Sequence, residues 1–205
     1  MEKIYKAIWL TNGTGKMNDI VSINTSSLTN SFCNAKSKDC NSICSKCYST
    51  RYTKMRPTLE RRLIENSELL SSNIIKKSEL PKLNASFVRF NSFGELINEL
   101  HFKNLINICK TNKRTLCVLW TKRIEILDSV LGTIEKPKNL VIIISNNYIN
   151  AIMDKLPQYA DKSFNVVTKD YIESSGIITN CDKSCNECRL CYSRNNITTI
   201  IEKIK

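Results

Sequence analysis

Seven of the chain's ten cysteines stand in two short clusters. Cys40, Cys44 and Cys47 follow C-x3-C-x2-C spacing, and Cys181, Cys185, Cys188 and Cys191 follow C-x3-C-x2-C-x2-C. Cysteines kept for packing scatter through a core. Thiols at these spacings bring several sulfurs to one centre, which is what a metal ion or an iron–sulfur cluster requires. Whatever the fold is, it must carry two thiol-rich loops.

Disulfides are the competing account of dense cysteine, and compartment decides between them. No apolar run reaches the roughly 20 residues of a membrane span. Lys3 and Lys6 interrupt the apolar start of the chain, which therefore does not read as a signal peptide. A cytoplasmic protein without membrane contact is expected, with its thiols reduced. The net charge is +12. Nucleic acid as an anionic partner and a generally basic, solvated surface both fit that charge. Lysine outnumbers arginine and Asn and Ile are abundant, as an AT-rich coding sequence also produces. Metal-bound thiolates would cancel several positive charges.

Along the chain, residues 3–10 and 19–27 read as strands joined at Gly13–Gly15. The cysteine loop fills 31–50, and Pro57 opens a helix through about residue 77. Strands are expected at 85–91, 115–121, 139–145 and 164–168, and helices at 95–110, 123–131 and 148–155. The run Asn139-Leu140-Val141-Ile142-Ile143-Ile144-Ser145 suits a strand buried on both faces. Alternating strand and helix implies right-handed βαβ units and a parallel sheet. Five or six strands are too few for a closed eight-stranded barrel. The expected fold is α/β: a partial, open parallel β/α barrel over residues 1–176, followed by a cysteine-rich cluster segment over 177–205.

Such folds keep their chemistry at the carboxyl ends of the strands. Those ends carry the cysteine loop, Ser92-Phe93-Gly94-Glu95, Thr121-Lys122-Arg123, Ser145-Asn146-Asn147 and Thr168-Lys169-Asp170. Glu95 could pair with an ammonium group or serve as a helix N-terminal glutamate. Glu95, Lys122 and Ser145 are the candidate cofactor contacts. Cys33, seven residues before Cys40, decides the nature of the first centre. With Cys33 the site has four ligands and is closed; without it, one position stays open for a substrate.

The spacing at Cys40, Cys44 and Cys47 resembles the cluster motif of radical S-adenosylmethionine enzymes, with Lys46 where an aromatic residue usually stands and Tyr48 just after. Ser92-Phe93-Gly94-Glu95 resembles a degenerate Gly-Gly-Glu motif. That resemblance implies a [4Fe–4S] cluster on the three cysteines, S-adenosylmethionine at its open iron, cleavage to a 5′-deoxyadenosyl radical, and a reductant such as flavodoxin or ferredoxin. Over most of its length the chain also resembles the phage gene product eighty-eight family. The shared pattern is the C-x6-C-x3-C run from Cys33, Cys47-Tyr48, the Arg89 strand, Trp120-Thr121-Lys122 and Cys188-Arg189-Leu190-Cys191-Tyr192. This second resemblance implies a phage or prophage origin, expressed in the host cell, and no particular reaction.

The C-terminal quartet would hold a second [4Fe–4S] cluster or a zinc ion. By resemblance it looks like an auxiliary cluster. His101, the single histidine, reads as a packed or surface residue rather than a ligand, and Cys109 and Cys117 read as small core residues. Trp120 and Phe93 read as packing, and Asp170 and Glu173 have no evident partner. The leading expectation is an iron–sulfur enzyme with two [4Fe–4S] clusters, acting on a nucleic acid, a peptide or a small metabolite. The alternative is a basic, zinc- or closed-cluster-stapled nucleic-acid-binding protein.

Overall fold

The computed structural model describes residues 7–204. Seven strands form one open sheet in the order of the chain: β1 (Leu10–Asn12), β2 (Val21–Ile23), β3 (Phe87–Phe90), β4 (Leu116–Thr121), β5 (Leu140–Ile149), β6 (Lys162–Val167) and β7 (Thr199–Lys203). β1 and β2 pair antiparallel, and every later neighbour is parallel. The helices are α1 (Ser31–Lys36), α2 (Tyr48–Lys54), α3 (Pro57–Ser72), α4 (Glu99–Thr111), α5 (Ile124–Leu131), α6 (Lys169–Ser175) and the single turn α7 (Cys185–Cys188).

Period-two alternation sorts each strand onto two faces. Val88, Phe90, Cys117, Leu119, Leu140, Ile142 and Ile144 point to one side. There they pack against Leu70 of α3, Phe102, Leu105, Ile106 and Ile108 of α4, and Ile126, Leu127 and Val130 of α5. The other side presents Val118, Trp120, Val141 and Ile143, which pack with Ile20 and Tyr192. Cys185 and Cys191 of the C-terminal segment also lie against this second face. β4 and β5 are thus covered on both sides, which explains their unbroken apolar runs.

Asparagine side chains tie the crossovers to the sheet. Asn66 of α3 accepts from the Trp9 backbone N–H at 2.8 Å and donates to the Trp9 and Asn24 carbonyls, each at 2.9 Å. Asn104 of α4 donates to the Leu70 and Asn73 carbonyls, each at 2.8 Å, and accepts from Ile75 N–H at 2.9 Å. These bonds satisfy backbone groups that would otherwise be buried without partners.

His101 is buried in α4, where its Nδ1 accepts from Ile97 N–H at 3.3 Å. Burial pushes its pKa down to about 3 from the ordinary 6.5. The folded protein therefore keeps this imidazole neutral while the unfolded chain binds a proton, and stability falls as pH drops below 6.5. Between pH 7 and pH 5.5 this single group should remove about 1.3 kcal/mol. Urea unfolding at the two pH values checks this, and His101→Gln should lack that component.

Several elements differ from expectation. The strand expected over 3–10 begins outside the described residues, and β1 starts only at Leu10. The helix expected to reach 77 ends at Ser72, where Asn73 turns extended. The helix expected over 148–155 does not form, because β5 continues to Ile149 and Asn150 then adopts a left-handed φ of 61°. The helix expected from 95 starts at Glu99, capped by Asn98, so Glu95 is not a helix N-terminal residue. β7, α1, α2 and α6 were not anticipated.

Candidate metal centres

The first cysteine loop leaves the carboxyl end of β2 and is tied down on three sides. Asn30 caps α1 by accepting from Cys33 N–H at 3.2 Å, and its Nδ2 donates to the Glu95 carbonyl at 3.0 Å. Ser42 is buried, accepts from Cys44 N–H at 3.2 Å and donates to the Asn147 carbonyl near the end of β5 at 3.2 Å. Cys47 begins α2, and the hydroxyl of the next residue, Tyr48, donates to the Ser92 carbonyl at the end of β3. The loop thus spans the ends of β2, β3 and β5.

Within it the thiols are not equivalent. Cys40 is exposed, whereas Cys33, Cys44 and Cys47 are partly buried. Burial raises the Cys33 thiol well above its ordinary pKa; Glu95, Cys47 and Cys44 add to that and Lys122 opposes it. Cys33 therefore lies within electrostatic reach of two cysteines of the motif and of two candidate cofactor contacts.

Those contacts form one bonded chain across the strand ends. Glu95 is buried and accepts from Thr121 Oγ1 at 2.6 Å, Leu96 N–H at 2.7 Å and Lys122 N–H at 2.8 Å. Lys122 Nζ donates to Ser145 Oγ at 2.9 Å. Burial raises the Glu95 pKa against the pull of Lys122 and these hydrogen bonds. Gly94 allows the close approach of the β2 and β3 ends. Its φ is +74°, and a Cβ there would lie 2.4 Å from the Thr25 carbonyl oxygen. The remaining strand-end candidates stay apart: Asp170 and Glu173 are exposed on α6, where Glu173 pairs with Lys169.

The C-terminal quartet lies over the second sheet face. All four cysteines line one small pocket of about 20 Å³, together with Tyr192 and Ile200. Burial raises the pKa of Cys181 and Cys185, and pushes Cys191 up to about 12 against the pull of Arg89. Two cations that the sequence did not single out as site residues attend these thiols. Lys16 Nζ donates to Cys181 Sγ at 3.2 Å, to the Cys181 carbonyl at 2.9 Å and to Glu202 at 2.5 Å. Arg89 stacks 3.9 Å from the Trp120 ring and donates to Met17 Sδ at 3.1 Å. Its Nε is shut off from solvent without a partner among the described residues, as is the Tyr192 hydroxyl. One signal for Arg89 was legible: it alternates with Val88 and Phe90, and so places a charge on the same sheet face as Phe87.

Among the described residues no three Cys, His, Asp or Glu side chains stand in a ready ligand array. Loading either centre therefore requires thiols to rotate onto a common point and lose their protons. The donor chemistry fits such a group. Four thiols share one pocket, and the unpartnered Arg89 Nε and adjacent Lys16 supply positive charge for a centre that four thiolates make anionic.

The family model described as Gene product 88 matches residues 3–187. The chain belongs to the Gene product 88 family, a phage family. No curated protein and no solved structure matches it. The match to the Gene product 88 model includes the first cysteine loop, the Arg89 strand and the strand ends from Glu95 to Ser145, and it reaches Cys181 and Cys185. No helix among the described residues is long and apolar enough to cross a membrane.

Proposed function

We propose that this Gene product 88 protein is an iron–sulfur enzyme of radical S-adenosylmethionine type, built on a partial β/α barrel. One observation carries the reading. Glu95, Lys122 and Ser145 are hydrogen-bonded across consecutive parallel strand ends, where α/β folds keep their chemistry, and Asn30 ties the turn that carries Cys33 to the Glu95 carbonyl. Cys40, Cys44 and Cys47 would hold the first cluster, and Cys181, Cys185, Cys188 and Cys191 the second. When bound, the first cluster supplies the electron for reductive cleavage of S-adenosylmethionine. The chain's own residues orient that cofactor and exclude water. Lys122 Nζ and Ser145 Oγ are the donors for its carboxylate. Glu95 positions Lys122 through the backbone N–H, and its carboxylate is the acceptor for an ammonium group. A reductant such as flavodoxin or ferredoxin is the expected electron source.

A second reading rests on the position of Cys33. Its thiol is partly buried and feels the charges of Cys47 and Cys44, which suits a closed four-cysteine centre of zinc or iron–sulfur in a metal-stapled binding protein. Cys33→Ala separates the two. The open-site enzyme should keep the metal of its first centre, and the closed site should lose it. The activity itself is tested with reconstituted protein, dithionite and S-adenosylmethionine. Formation of 5′-deoxyadenosine is expected; its absence, with no spectral change on adding S-adenosylmethionine, would overturn the enzyme reading.

A further inference from the structure

Between Lys36 and Arg62 the chain carries eight basic side chains and two acidic ones, which is half of its net charge of +12. Among the described residues none of the eight forms an ion pair. The two acids are occupied locally: Asp39 accepts from Asn41 N–H at 3.0 Å, and Glu60 accepts from the Ser26 hydroxyl. This stretch runs from the last residue of α1 through the cysteine loop and α2 into the first turns of α3, so much of the positive charge belongs to the cysteine loop and the helix that follows it.

The charge is interleaved with exposed rings. On α2, Ser49 and Thr53 are buried, so the opposite face presents Tyr48, Arg51 and Met55 at positions i, i+3 and i+7. Tyr48 is 49% exposed and Met55 75%. Across the loop, Tyr148 is 47% exposed, is joined to Ser42 by a backbone bridge, and has Lys36 Nζ at 6.0 Å from its ring centroid. Lys46, Lys54 and Arg56 are exposed alongside.

We infer that this face binds single-stranded nucleic acid, with lysine and arginine on the phosphates and bases stacked on Tyr48 and Tyr148. An alternation of cations and exposed aromatic faces is how sequence-tolerant single-strand sites are built. An acidic peptide would use the charge and leave the rings without a role. A duplex keeps its bases stacked inside and would likewise leave the tyrosines idle. The inference does not depend on metal in either centre.

Fluorescence anisotropy with a labelled twelve-nucleotide oligothymidylate tests it, with metal content measured on the same samples. Four phosphate contacts predict a roughly 50-fold loss of affinity between 50 mM and 200 mM salt, from a slope of about −0.7 per contact. Arg51→Glu with Lys54→Glu should weaken binding at least tenfold. Tyr148→Ala should weaken it about tenfold, and Tyr48→Phe should leave it unchanged. Lys82→Glu with Lys113→Glu, exposed positions preceding β3 and β4, should have little effect. Three results would overturn the inference: no binding at 50 mM salt, an equal loss in the Lys82/Lys113 variant, or tighter binding to polyglutamate that ignores Tyr148→Ala.

Discussion

Replacing Cys185 and Cys191 together by serine should release the C-terminal segment from the sheet and expose Trp120. Residues 177–198 hold little regular structure beyond the one-turn α7, and a single turn does not sustain itself in water. Their attachment rests on a few contacts. Asn186 donates to the Asn18 carbonyl at 2.6 Å, and Lys162 Nζ donates to Asn195 Oδ1 at 2.8 Å and to the Ile197 carbonyl at 2.7 Å. Tyr192 packs 4.7 Å from Phe87 and 5.5 Å from Trp120, ring centre to ring centre. The proposed four-thiolate centre would stitch this segment to itself and so contribute folding energy directly. Its loss should cost more than about 4 kcal/mol. Trp120, only 7% exposed in the folded chain, should shift its emission to the red, and protease should cut within 181–195. Cys109→Ala, a change at a buried core cysteine, should do neither. Retained protease resistance and unshifted emission in the double variant would mean that the segment docks without metal.

Glu95→Ala should be the most damaging single change at the strand ends, at about 3–5 kcal/mol. The carboxylate gathers the Thr121 hydroxyl and the Leu96 and Lys122 N–H groups in a buried site. Removing it leaves those donors without an acceptor, which costs more than the bonds themselves. Glu95→Gln keeps one oxygen and should cost about half as much. Urea unfolding measures both, and a loss below about 1 kcal/mol for the alanine variant would show that the chain does not depend on this latch. At the same time the Lys122–Ser145 contact should loosen, because the Lys122 backbone is anchored by Glu95.

The central sheet was legible because β4 and β5 are buried on both faces and so write continuous apolar runs. The strand ends followed from them, and with them the grouping of Glu95, Lys122 and Ser145. β7 was hidden: Thr199–Lys203 begins eight positions after the last cysteine, Cys191, and the cluster motif drew that stretch into an irregular segment. The helix expected over 148–155 failed because its apolar residues sit at helical spacing while tertiary pairing with β6 holds the start of that stretch as strand. Asn98-Glu99-Leu100-His101 carried a readable N-cap signal, yet the acidic turn at Glu95 looked like the start. Lys16 could not be read from local pattern, since its partner Cys181 is 165 residues away.

The most direct test of the account is the metal itself. Protein purified without oxygen should be brown and carry about eight irons and eight sulfides, four of each per cluster. Cys181→Ala with Cys188→Ala should halve both counts, leaving the first centre loaded. A colourless protein with two zinc ions, or one without metal that keeps its fold, would contradict the account.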